Sequence, residues 1–299
     1  MTGLGLVAST NRMCNKRQKT IAYQNQNTMK TKIKYLVYPL AVILLCLFVI
    51  AGCSDDDELL PDDTLGIVTD IDGNVYQTVI IGNQEWMAEN LRVTKYNNGD
   101  AIPTGLSNEE WVNTTEGAYA IYDHNEWNTD GINSPVEMVA AYGKLYNWYA
   151  VDDIRGLCPE GWSVPNDDDW AQLVDYVVAQ GYPNLGGNPN GAGNALKSCR
   201  QVNSPINGYC DTSEHPRWDP HTTHHGFDKF GFSAIPVGRR ISVVSIGEFE
   251  GIGDFVLWWS ASEHSSSRAW SFAISYDFGN VHKGNHAKVS GFGVRCIKD

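Results

Sequence analysis

The chain has 299 residues, with 35 acidic against 22 basic side chains, a formal charge of −13, 42% hydrophobic residues and 19% charged residues. That apolar content is too high for a disordered chain. The acidity excludes nucleic-acid binding and docking on an anionic lipid surface, because both need clustered Lys and Arg.

The first 52 residues hold seven basic side chains (Arg12, Lys16, Arg17, Lys19, Lys30, Lys32 and Lys34) and no Asp or Glu. The run YLVYPLAVILLCLFVIAGC follows at 35–53. A basic segment before an apolar one is the pattern of a secretion signal. A permanent membrane helix is the alternative, since about 18 apolar residues just span a bilayer. Against it, the small residues Ala51 and Gly52 stand directly before Cys53, and the chain then turns acidic through Ser54, Asp55, Asp56, Asp57 and Glu58. Ile50-Ala51-Gly52-Cys53 resembles a bacterial lipobox, which implies cleavage before Cys53 and lipidation of that cysteine. Buried lipid CH₂ groups contribute about 0.8 kcal/mol each, so several chains anchor stably. The acidic run reads as a solvated linker and also resembles the export signals of Bacteroidota surface lipoproteins. The expectations are a signal over 1–52, a lipidated linker over 53–64, and a lipid-anchored outer-membrane protein facing outward. Met29, just ahead of three lysines, is a second candidate start, with 29–52 as the signal.

Without the signal the balance is fifteen basic against 35 acidic, about −20. About 235 residues follow the linker, enough for one sizeable core. Four cysteines remain: Cys158, Cys199, Cys210 and Cys296. An even number in an exported chain predicts disulfides, and no Cys-x-x-Cys spacing supports a zinc site. Three pairings are open. Cys199 and Cys210 are close enough to close a short loop, which leaves Cys158 with Cys296.

The domain opens on VTDIDGNVYQTVIIGNQEWMAENL, with hairpin signals at Asp72-Gly73 and Gly82-Asn83. Asp70, Asp72 and Asn74 lack the spacing of a calcium loop and read as a turn. Residues 95–135 read as loop, with Trp111 and Trp127 packing it onto the core, and LYNWYAV (145–151) reads as β-prone. In CPEGWSVPNDDDW (158–170), Asn166 is a predicted N-cap, with Asp167, Asp168 and Asp169 in the first turn where the helix dipole favours them. Asp169 can complete a capping box, and Pro165 with Trp170 forms a staple. Trp170, Leu173, Val174, Val177 and Val178 mark one apolar face, and Gly181 and Pro183 end the helix. Three adjacent aspartates point apart around a helix and do not converge on an ion. Residues 184–230 are rich in Gly, Asn, Pro and His. Beyond them FSAIPVGRR, FVLWWSAS, AWSFAISY and GFGVRCIKD read as short strands. With no βαβ rhythm, the pattern is α+β.

Six ordered blocks (DIDGNVYQTVIIGNQEWMAENL, YGKLYNWYAV, CPEGWSVPNDDDW, GFSAIPVGRR, WWSASE and GFGVRCIKD) closely resemble the Fibrobacter succinogenes major paralogous domain over residues 65–299. The resemblance implies a C-type-lectin-like domain with short antiparallel strands, one or two helices and long loops, related to formylglycine-generating enzymes. GWSVPNDDDW is similar to the helix start of that superfamily, and GFGVRC to its ending. The formylglycine generators use paired copper-binding cysteines. The matching late segment, WWSASEHSSSRAWSFAISYD, has none, and no catalytic triad order is visible. No cofactor and no catalytic residue is therefore expected.

The leading functional expectation is a surface binding or adhesion module for a glycan or a surface protein, with Trp258, Trp259, Glu263, His264 and Trp270 as candidate ligand contacts. The Glu-Pro-Asn motif of calcium-dependent sugar binding is absent. A second reading places a metal on His215, His221, His224 and His225 in HPRWDPHTTHH. A third is a structural surface component without a small-molecule ligand.

Overall fold

A computed structural model describes residues 65–123, 129–241 and 247–299. The signal, Cys53 with its linker, and Trp127 lie outside the described residues. The class is α+β, with few helices and exclusively antiparallel pairing between the named strands.

The first hairpin joins β1 (Leu65–Thr69) to β2 (Val75–Ile81) with Thr69 opposite Val75. Its connection is five residues long, not the two-residue turn expected at Asp72-Gly73. The Asp70 carboxylate holds it by accepting from the Asp72 and Asn74 amides and from the Tyr76 hydroxyl, the last at 2.6 Å. Gly82-Asn83 does form the expected tight turn into β3 (Gln84–Met87), with Ile81 opposite Gln84 and Gly82 at φ +64°.

Residues 95–135 are not all loop. Helix α1 (Asn108–Asn113) starts from a Ser107–Glu110 capping box. Strand β4 (Tyr119–Ala120) follows, and α2 (Pro135–Tyr142) is capped by Ser134. LYNWYAV divides into β5 (Leu145–Tyr146), paired with β4, and a one-turn helix α3 (Trp148–Val151). Asn147 stops the strand and caps the helix, its side chain accepting from the Ala150 amide at 3.1 Å.

Beyond β6 (Trp162–Ser163), helix α4 (Asp167–Ala179) begins as the sequence predicts. The Asn166 side chain accepts from the Asp168 and Asp169 amides, and the Asp169 carboxylate accepts from the Asn166 amide at 2.8 Å. The three aspartates diverge: Asp167 pairs with Lys283 and Ser260, Asp169 turns back to the cap, and Asp168 faces solvent. Trp170, Leu173 and Val177 are buried, whereas Val178 is exposed, so the apolar face is narrower than its periodicity suggested. Trp170 joins the two main sheets through its rings. It lies 4.9 Å from Trp86 on β3 and is stacked 5.0 Å from Phe272 on β10 (Arg268–Ser275). Truncating such a residue costs about 3–5 kcal/mol.

The chain continues through the short helix α5 (Ala192–Leu196) and a 3₁₀ turn at Gly208–Cys210 into the strand pair β7 (Arg239–Arg240) and β8 (Phe249–Glu250). The three-stranded sheet of β9 (Phe255–Ser265), β10 and β11 (His282–Ala287) comes next, ordered β11-β10-β9. β11, HKGNHA, was not legible as a strand because it has no apolar alternation. Last, β12 (Ile297–Lys298) inserts between β3 and β6 in the order β1-β2-β3-β12-β6. Both expected disulfides form, Cys158–Cys296 beside β12 and Cys199–Cys210. Arg295 of the GFGVRC ending is fully buried against the Phe232 ring, and it donates to the carbonyl oxygens of Phe232 and Ser233 and to Asn90 Oδ1.

Candidate functional site

Alternation along β10 sends Phe272 and Ile274 into the core and turns Ser271, Ala273 and Ser275 the other way. Register sets Ser271 opposite Gly284 and Ala273 opposite His282 on β11, and Ala273 opposite Leu257 and Ser275 opposite Phe255 on β9. These small floor residues leave a cleft of ≈ 690 Å³ on the sheet face. A Cβ at 284 would come within 3.3 Å of the His286 ring, so the close approach of that ring to the floor depends on Gly284. That volume lies in the range that holds small ligands.

One wall is the segment Tyr276–Asn280, with Phe278 52% exposed at its lip. The other carries Arg239, Asp254 and Phe255. Arg239 is held by Glu250 at 2.5 Å and lies over the Phe255 ring at 5.3 Å, so its charge is compensated. Asp254 and Asp277 make no ion pair among the described residues, and Asp277 accepts from the Ser275 hydroxyl. Burial pushes the Asp254 carboxyl up, and Asp219, Asp277 and Glu250 push it the same way. His286 shares a 2.9 Å hydrogen bond with Ser271 and sets its ring edge on Phe292. Burial lowers its pKa to about 4, so it is neutral at pH 7. The cleft thus combines aromatic walls, two carboxylates outside any ion pair and neutral hydrogen-bonding groups.

The Tyr276–Asn280 wall is fastened from below. The Gly193 amide of α5 donates to the Gly279 carbonyl at 2.7 Å, and a side chain at Gly193 would collide with the Asn280 carbonyl. Asn184 brackets Val281, accepting from its amide at 2.7 Å and donating to its carbonyl at 3.1 Å. Lys197, just past α5, reaches the wall with its Nζ.

None of the five ligand contacts expected from sequence lines this cleft. Trp258 and Trp259 are fully buried, and they donate to Asn90 Oδ1 and the Tyr146 carbonyl at 2.8 Å each. They are framework and offer no stacking face. Trp270 lies on the opposite face of β10, its ring covered by Lys283 at 4.2 Å and edged by His264 at 4.5 Å. Glu263 is taken by Lys288 at 2.6 Å.

The four histidines of the metal reading take different hydrogen-bond partners, with the rings of His221 and His224 5.0 Å apart. His215 bonds the Tyr142 hydroxyl, His224 bonds Asn194, His225 bonds Gln201, and His221 Nδ1 accepts from the Thr223 and His224 amides. His215 and His224 are buried, so HPRWDPHTTHH is not simply an exposed loop. Among the described residues no group of three or more His, Cys, Asp or Glu could hold a metal ion. The one sequence signal for the cleft was the small-residue alternation Ser-x-Ala-x-Ser, echoed by His-x-Gly-x-His on β11.

Compared with known proteins, the chain matches a family model described as the Fibrobacter succinogenes major domain over residues 79–298. No curated protein and no solved structure matches it.

Proposed function

The chain belongs to the Fibrobacter succinogenes major domain family, and on that premise we propose that it is a lipid-anchored surface protein whose domain is a binding module, with the β9–β11 cleft as its ligand site. The observation that carries the reading is the cleft itself. Its small-residue floor, exposed Phe278, half-buried Tyr276, and Asp254 and Asp277 outside any ion pair combine an apolar stacking surface with convergent polar groups. Sugars present that pattern in complement, an apolar ring face edged by hydroxyls. Neither carboxylate forms an ion pair, and two carboxylates beside the cleft disfavour acidic sugars, so the ligand is a glycan without acidic groups.

A C-type-lectin-like fold is part of the proposal, supported by the helix start at Asn166 and the GFGVRC ending. The disulfides are compatible with an extracellular protein. The outer-membrane anchor rests on Cys53 and the preceding apolar run. The purified protein screened on a glycan array tests the reading. Neutral glycans are expected to bind, and Phe278→Ala and Asp277→Asn are each expected to weaken them at least tenfold. No hit, or hits untouched by both substitutions, would leave the structural-component reading in its place.

A further inference from the structure

Lys197 is 1% exposed and its ammonium touches no carboxylate. Nζ donates to Asn194 Oδ1 at 2.9 Å, to the Phe278 carbonyl at 2.9 Å and to the Tyr276 carbonyl at 3.3 Å, and it lies 5.2 Å from the Trp218 ring. Two of the three acceptors are main-chain carbonyls of the cleft wall, about 80 residues away in sequence. An ammonium has three N–H donors and meets three acceptors. A neutral amine has only two, and its lone pair would face one of the carbonyls.

We infer that Lys197 is a positioning residue for the ligand cleft, a buried latch that holds the Tyr276–Phe278 wall while protonated and loosens it when the proton leaves. The inference rests on the cleft being the ligand site. Ligand affinity should then be higher in mildly acidic solution than at pH 9.

The surroundings favour a switch in the neutral range. Burial lowers the Lys197 pKa to about 7, opposed by Asp277 alone. The charged and titratable groups around it and its wall are Asp277 and Tyr276 of the wall, His224 and His225 from the loop after α5, His221 against Tyr276, Asp228, and the Arg217–Asp219 pair on either side of Trp218 in sequence. Burial pushes the pKa of His224 and of His225 down. The Asp228 carboxylate is engaged by the Ser233 amide and hydroxyl. Gly193 and Asn184 hold the wall through groups that do not titrate, whereas His221 sets its ring edge-on to Tyr276 at 5.9 Å.

The test needs no ligand, so a failed glycan screen leaves it standing and its failure leaves the screen untouched. Amide NMR signals of residues 276–281 in the purified protein are followed from pH 5.5 to 9. A shared titration with a midpoint between pH 6 and 8 is expected in the wild type. It should persist in His224→Gln and vanish in Lys197→Met. Absence of that titration, its survival in Lys197→Met, or its loss in His224→Gln overturns the inference. Should Lys197→Met fail to fold, Lys197→Gln and His221→Gln replace it: survival of the titration in the first, or its loss in the second, overturns the inference.

Discussion

Removing the two disulfides separately should destabilise the protein unequally, and by amounts fixed by loop length. Cys158–Cys296 closes a loop of 138 residues and Cys199–Cys210 one of 11. The chain-entropy relation gives about 5 kcal/mol for the first and about 3 kcal/mol for the second. All four sulfurs are buried, so replacing each pair by alanine adds a similar small packing loss to both variants, and the difference of about 2 kcal/mol is the firmer number. The short loop lies within the long one, but it shortens the outer path so little that the two effects should add to within about 0.1 kcal/mol. Urea unfolding of the wild type, Cys158→Ala/Cys296→Ala, Cys199→Ala/Cys210→Ala and the quadruple variant, followed by tryptophan fluorescence, gives the four free energies. If the short-loop variant lost as much stability as the long-loop variant, the entropic account would be wrong for this protein.

Three further outcomes are expected. Asn166→Ala should lower stability by about 1 kcal/mol in the same unfolding assay, since it removes the acceptor for two first-turn amides. His215 is buried and its pKa is depressed to about 4. The unfolded state therefore takes up a proton near pH 6.5 that the folded state refuses until about pH 4, and stability falls as pH drops through that window. His215→Asn should flatten the decline between pH 6 and 4.5 in thermal melts. Cys53→Ala should abolish incorporation of labelled palmitate and release the protein from the membrane fraction, and continued labelling would end the lipid-anchor reading.

What the sequence disclosed depended on how local each signal was. The α4 start was legible because its cap, capping box and apolar spacing lie within a dozen residues of each other. The cysteine pairs followed from counting. Helices α1 and α2 were missed although Ser107 and Glu110, and Ser134 and Glu137, carry the same capping signature, because each helix is too short to establish an apolar period. Trp258 and Trp259 misled for a different reason. Residues 256–260 are buried on both faces of β9, so alternation there carries no information about which side meets solvent. The cleft was out of reach because its floor comes from three strands and its wall hangs on Lys197 and Asn184, about 80 to 100 residues upstream. CPEGWSVPNDDDW is framework: its cysteine is bonded, Asp169 caps the helix, Asp167 pairs with Lys283, Asp168 faces solvent, and Trp170 joins the sheets.

The position of β12 sets a timetable for folding. Ile297 bonds β3 on one side and β6 on the other, and Cys296 next to it carries the long disulfide. A chain made from its N-terminus therefore reaches residue 298 before β3 and β6 are joined in its first sheet. Until then β3 and β6 present open edges with nothing between them. Any product cut short of that point lacks both the strand that joins β3 to β6 and the covalent clasp, and a protease that removes unfinished chains could tell it from the completed molecule.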